Sequence, residues 1–249
     1  MRGLGLAVAG ALILVLAGCG TVETSSSTVP SEKPDAVASA SDAPSAAPST
    51  AGNSTDVKVV VDGAGFSVGG YGQGGYGLAL KNTSTTMDAE EVQVTVNLLD
   101  KSGTIITTAD QTFNLIPAGG TFYFGGDFSV DKGAKPAKME AFVDVGASEA
   151  AQYSLPKVSK VRVVKDQYAG VSVKGQATND LDGPNSSMAV IGCVLLDAND
   201  KVVTGGYGYL NNDLPSGRTV GFENYINITN AAASKVTHAE ASMDNVSAE

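Results

Sequence analysis

Five oxygen-bearing side chains in the second half of the chain have the types and spacing of a hard-cation site: Asp180, Asp182, Asn185, Asn211 and Asp213. Asn179-Asp180-Leu181-Asp182-Gly183-Pro184-Asn185 sets carboxylates beside a glycine that permits a tight bend. Asn211-Asn212-Asp213 would fall at the same end of a β-sandwich. Calcium takes about six to eight such oxygens. Asx-rich turns use the same residue types for ordinary chain reversal, so both readings stay open. The matching stretch of the first half, Asn82-Thr83-Ser84-Thr85-Thr86, carries fewer carboxylates.

Nucleophiles and general bases are scarce. The chain has two cysteines, Cys19 and Cys193, and one histidine, His238. One histidine supports neither a His-rich zinc site nor a recognisable Ser-His-Asp constellation. Cys193 falls where the first half has Val96, on the apolar face of an alternating segment, so it reads as a core residue. His238, opposite Ala141 at the same displacement, reads as a surface or satisfied residue. No pair of carboxylates sits in an acid/base context. The expectation is a protein that is not an enzyme.

The other cysteine has a different context. Arg2 is followed by an apolar run from Leu4 to Leu16, closing in Leu16-Ala17-Gly18-Cys19. The run is too short for a membrane span of ~20 residues and fits a secretory signal. The tetrad resembles the lipobox of bacterial lipoproteins. That resemblance implies cleavage between Gly18 and Cys19 and transfer of a diacylglyceryl group, with palmitate-type chains, to the Cys19 thiol. More than one acyl chain is needed for stable anchoring. The expected location is the cell membrane, lipid-anchored at its extracytoplasmic face. The alternative is an ordinary secretory signal with an incidental Cys19. Once Cys19 is lipidated, Cys193 has no disulfide partner.

Composition limits the partners. The formal net charge is −10 and the pI about 4.5, and no basic stripe or cluster is expected on the folded chain. Nucleic acid is disfavoured, because phosphate contacts dominate that affinity. Polyanionic wall polymers are repelled for the same reason. Aromatic residues make up 6% and tryptophan is absent, which weighs against a sugar-stacking platform.

Residues 19–55 are dominated by Ser, Thr, Ala and Pro, with no aromatic residue. Such a segment cannot bury enough surface to offset its chain entropy and is expected to be a disordered tether. As a flexible coil it spans ~30–35 Å. Beyond it the chain is duplicated. Leu98-Leu99-Asp100 recurs 97 residues on as Leu195-Leu196-Asp197, Asn82 as Asn179 and Lys138 as Lys235. Pro117-Ala118-Gly119 recurs as Pro215-Ser216-Gly217, one residue further on. Two copies are expected, 56–155 and 156–249, after a signal peptide at 1–18.

Each copy reads as short strands. Val92-Gln93-Val94-Thr95-Val96-Asn97-Leu98 alternates with period 2, Asp100-Lys101-Ser102-Gly103 reads as a hairpin turn, and Asn199-Asp200 can supply that turn in the second copy. No sustained helical period appears. The expected fold is all-β: two tandem immunoglobulin-like antiparallel β-sandwiches. The pattern also resembles the FxLYD family of immunoglobulin-like domains of prokaryotic surface proteins. Its motif positions hold Val96-Asn97-Leu98-Leu99-Asp100 and Cys193-Val194-Leu195-Leu196-Asp197. Leu and Asp match in both copies, whereas Phe and Tyr do not. The resemblance implies a scaffold and no reaction.

Two Gly/Tyr segments remain, Gly69 to Gly77 with Tyr71 and Tyr76, and Gly205 to Tyr209 with Tyr207 and Tyr209. They read either as twisted or bulged edge strands or as an adaptable partner-contact surface. Together these features lead to the expectation of a non-catalytic surface lipoprotein. It presents two modules to a protein or envelope polymer, needs no cofactor, and meets the membrane through its lipid. The alternative is a small-solute or calcium-binding lipoprotein associated with transport.

Overall fold

The computed structural model describes residues 57–69, 72–166, 170–180, 189–210 and 214–244. The signal segment, Gly18, Cys19 and the tether lie outside the described residues, as do Tyr71, Asp182, Asn185, Asn211 and Asp213. The described residues form one compact unit.

The chain is all-β. The first half contains β1 (Val59–Val68), β2 (Gln73–Asn82), β3 (Met87–Leu99), β4 (Ile105–Ile116), β5 (Thr121–Ser129) and β6 (Lys138–Ala150). The second contains β7 (Lys157–Asp166), β8 (Gly170–Thr178), β9 (Val190–Leu196), β10 (Val202–Tyr209), β11 (Thr219–Ile226), the one-turn helix α1 (Asn230–Ala233) and β12 (His238–Asp244). Sheets β1-β2-β5 and β4-β3-β6 build the first half, and sheets β11-β8-β7 and β10-β9-β12 repeat that order in the second. All pairings are antiparallel. Strands one, two and five facing four, three and six is the connectivity of an immunoglobulin sandwich reduced to A-B-E over C′-C-F.

Alternation decides which side of each strand is buried. Val92, Val94, Val96 and Leu98 of β3 point into the first core with Leu78, Leu80, Phe113, Phe122 and Phe124. Each such leucine contributes about 1.5–3 kcal/mol by leaving water. Val171, Val173, Ile191, Cys193, Leu195 and Met243 build the second core. β2 and β9 break the one-sided pattern, being buried along nearly their whole length. Tyr76, Leu78 and Leu80 fill the first core. Between them, Gly75 and Gly77 face Gly205 and Thr204 of the second half. In β9, Val194 and Leu196 leave the second core and join Val202 and Tyr123 in a third cluster. Sheet β1-β2-β5 therefore lies against sheet β10-β9-β12, and the four sheets form one stack.

The duplicated landmarks are turn devices. Asn82, buried, donates through Nδ2 to the carbonyls of Met87 and Ile116, both at 3.0 Å, and accepts from the Ser84 N–H at 3.0 Å. Asn179 donates to the Leu214 carbonyl at 2.9 Å. Asp100 Oδ1 accepts the N–H groups of Ser102 (2.8 Å) and Thr104 (3.0 Å), and Asp197 Oδ1 those of Asn199 (2.8 Å) and Lys201 (3.0 Å). The left-handed position of the turn is Gly103 in one copy (φ 87°) and Asp200 in the other (φ 59°).

One correspondence read from the sequence is corrected. Leu99 pairs with Lys138 and Val96 with Ala141, whereas Leu196 pairs with His238 and Cys193 with Ala241. The last strand is thus displaced by 100 residues, since the α1 connection is longer than its counterpart. His238 occupies the place of Lys138, and Ala241 that of Ala141. The Lys138–Lys235 match is a coincidence of spacing.

Candidate binding surfaces

The sequence leaves the Gly/Tyr segments either as edge strands or as a surface for a partner. β2 is the central strand of its sheet, which corrects the first reading for that segment. Its glycines admit backbone, not a ligand. A Cβ on Gly77 would stand 2.6 Å from the Thr204 carbonyl oxygen, and one on Gly75 2.7 Å from that of Gly205. Any side chain there would push the two sheets apart. Thr204 Oγ1 donates to the Gly75 carbonyl at 2.8 Å, and the Tyr123 N–H to Ser242 Oγ at 2.9 Å, across the same contact.

Tyr76 is 1% exposed, which removes it from the set of partner-contact residues. Burial holds its phenol well above the usual range, reinforced by Tyr207 and Asp127 nearby. Tyr207 is partly buried and stacks on Phe124, ring centres 6.0 Å apart and 19° from parallel. Tyr209 meets Tyr207 edge-on at 5.6 Å and is 55% exposed. Of the three partner-contact candidates that lie among the described residues, Tyr76, Tyr207 and Tyr209, Tyr209 is the one that offers its ring to solvent.

Asp180 is exposed at the end of the β8 segment. The other four oxygen ligands considered for calcium lie outside the described residues. Among the described residues, no three His, Cys, Asp or Glu side chains gather as a metal site.

Cys193 is fully buried, and the Asn224 amide donates to its Sγ at 3.2 Å. Burial pushes the thiol up to about 12, against the smaller opposing effect of Asn224. Such a group carries no thiolate at neutral pH. His238 lies at the surface, Nε2 3.0 Å from Asp200 Oδ1 and Nδ1 2.9 Å from the Thr237 hydroxyl. Asp88 is buried and accepts N–H groups from Ala118 (2.7 Å), Gln152 (2.9 Å) and Tyr153 (2.9 Å). Burial pushes its carboxyl up, but the three donors together outweigh that and hold it below the usual range.

Two depressions carry charge. At sheet β11-β8-β7, Lys160, Arg162 and Lys174 line a hollow together with Gly175, Gly221 and Glu223. Glu223 pairs with Lys174 at 2.9 Å and accepts from Ser172 at 2.9 Å, and these bonds hold its carboxyl below the usual range. Lys157, Lys160, Arg162 and Lys165 all lie on β7, a basic cluster that corrects the expectation of none, and β7 is an edge strand with an irregular register between Ser159 and Arg162. Lysines and a bulge on an edge strand protect it from pairing with another chain.

The second depression, of about 430 Å³, opens where the two halves meet. Phe66 of β1, Met139 of β6 and Val202 of β10 supply apolar surface, and Lys138, Lys201 and Lys235 supply charge, with Asp197 the lone carboxylate of the lining. The sequence contained Lys138 and Lys235 as apparent landmarks, but isolated lysines give no signal of convergence. No protein-family model matches the chain, and no curated protein is significantly similar to it.

Proposed function

We propose that this protein is a lipid-anchored, extracytoplasmic binding protein without catalytic activity. Modification at Cys19 fixes the mature N-terminus to the cell membrane. The 19–55 tether lets the β-sandwich body stand off from the bilayer, where it engages a protein or another envelope component. Among the described residues, no helix is long and apolar enough to cross a membrane, and the proposed attachment rests on the Leu16–Cys19 tetrad.

One observation supports the non-catalytic part most directly: the reactive residue types serve the architecture. Cys193 fills a core position beside Asn224. Asp88, Asp100 and Asp197 spend their carboxylates on backbone N–H groups. Asn82 and Asn179 bind turn carbonyls. A body of this kind offers shape, charge and rigidity for recognition. Live-cell crosslinking followed by mass spectrometry tests the reading. A reproducible envelope partner, lost when residues 57–244 are replaced by an unrelated domain on the same anchor and tether, is expected. Turnover of a substrate by the purified chain, abolished by substitution of named side chains, would overturn it.

A further inference from the structure

We propose that the cleft between the two halves, lined by Lys138, Lys201 and Lys235 together with apolar side chains, binds a small organic anion with an apolar body. A medium-chain carboxylate is the type. The inference deepens the binding function proposed above by assigning that function a ligand class.

The three lysines come from separate segments: the first residue of β6, the β9–β10 turn, and the connection between α1 and β12. The chain as a whole carries 26 Asp and Glu against 16 Lys and Arg, so this cleft inverts the local sign of charge. Clefts lined by one sign of charge concentrate ligands of the other. Asp197, the single acid of the lining, accepts two backbone N–H groups through Oδ1 and also feels the charges of Lys201 and Lys235, so the lining sets three cations against one anion. Lys138 is paired with Glu140, but the lysine side chain is 64% exposed. An exposed pair of that kind is worth little and yields readily to a competing anion.

The remaining wall explains why a bare inorganic ion is not the best occupant. Ala64, Phe66, Met139, Val202 and Ala232 line the cleft alongside the lysines. Small-ligand sites favour junctions between domains and combine apolar contact with placed polar groups, and this lining supplies both kinds of surface. An anionic head among the ammonium groups and a short apolar tail on Phe66 and Met139 would satisfy both halves of the lining.

The test uses the full chain carrying Cys19→Ala, so that no attached lipid competes, with octanoate as the probe. Calorimetry is combined with amide NMR shifts at Phe66, Val203 and Ala232. Octanoate is expected to bind with a Kd of ~1 mM or tighter, more weakly as salt is raised, with shifts centred on those residues. Lys138→Gln, Lys201→Gln and Lys235→Gln combined should weaken binding by at least about tenfold. Ala232→Trp, which fills the cleft while leaving the lysines, should abolish it. Octyltrimethylammonium, with the same tail and opposite charge, should not shift these amides. No binding by the parent chain, equal binding by both variants, or acetate binding as tightly as octanoate would overturn the proposal. Such a failure leaves anchoring and partner capture to be read by their own experiments.

Discussion

Gly77 in β2 and Thr204 in β10 approach so closely that a Cβ on the glycine would stand 2.6 Å from the threonine carbonyl oxygen. The contact joins the two halves of the chain, and it turns a Gly-rich segment with the look of a flexible surface into a tight seam. Gly77→Val should therefore destabilise the protein by about 1–3 kcal/mol through overpacking. Gly221→Ala is the contrast, since its nearest neighbour would be 3.9 Å away. That change should be neutral or mildly stabilising. Denaturant unfolding of both variants beside the parent checks the pair.

Asn82 makes three hydrogen bonds from a fully buried position, tying the end of β2 to the start of β3 and the end of β4. Removing it leaves the Met87 and Ile116 carbonyls short of a donor. Asn82→Ala is expected to cost about 2–4 kcal/mol, since each buried group left unsatisfied costs about 1–3 kcal/mol. Thr83→Ala, which removes one exposed hydroxyl bond to the Lys58 carbonyl, should cost under about 1 kcal/mol. Thermal unfolding of the two variants separates these outcomes.

Cys193 stands where the other half has Val96, each opposite an alanine on the neighbouring strand. Cys193→Val should change stability by less than about 1.5 kcal/mol, as volume-conserving core exchanges do. Asn224 keeps its bond to the Ile191 carbonyl at 2.8 Å. In the native parent chain the Cys193 thiol should resist a disulfide reagent at pH 8 and react on unfolding. Rapid labelling of native Cys193 would contradict its place in the core.

Asp244 is buried at the end of β12, and burial raises its carboxyl to about 6 despite hydrogen bonds from the backbone and side chain of Asn114. Its Oδ1 has no hydrogen-bond partner among the described residues. The native state therefore holds this proton more tightly than the unfolded chain, whose value is near 3.8. The group's contribution is fully present below about pH 4, is lost as pH rises to about 6, and is flat above that. The ionised form costs the native state about 2–3 kcal/mol at pH 7. Asp244→Asn should remove this slope and raise stability at pH 7. Paired denaturation curves at pH 4.5 and 7 measure it.

The elements most visible in the sequence were those with one job. The alternation of Val92 to Leu98, the Asp100 and Asp197 turns and the repeated Asn82 and Asn179 each depend on local chemistry, and the strands and turns lie where those residues put them. β2 and β9 were harder, because a strand buried on both faces loses its alternation, and a glycine needed for close approach looks like one needed for a bend. The displacement of β12 was hidden by an insertion at α1 and by the chance alignment of two lysines. The lysine cleft could not be read at all, since its walls come from β1, β6, the β9–β10 turn and α1. Their convergence is a property of the stacked sheets rather than of any local pattern.

The proposed function depends on anchoring through Cys19, and detergent-phase partition of the full chain expressed in a bacterial host tests that proposal most directly. The parent chain should enter the detergent phase, and Cys19→Ala should move to the aqueous phase with its fold intact by circular dichroism. Equal partition of the two chains into detergent would contradict attachment through that thiol.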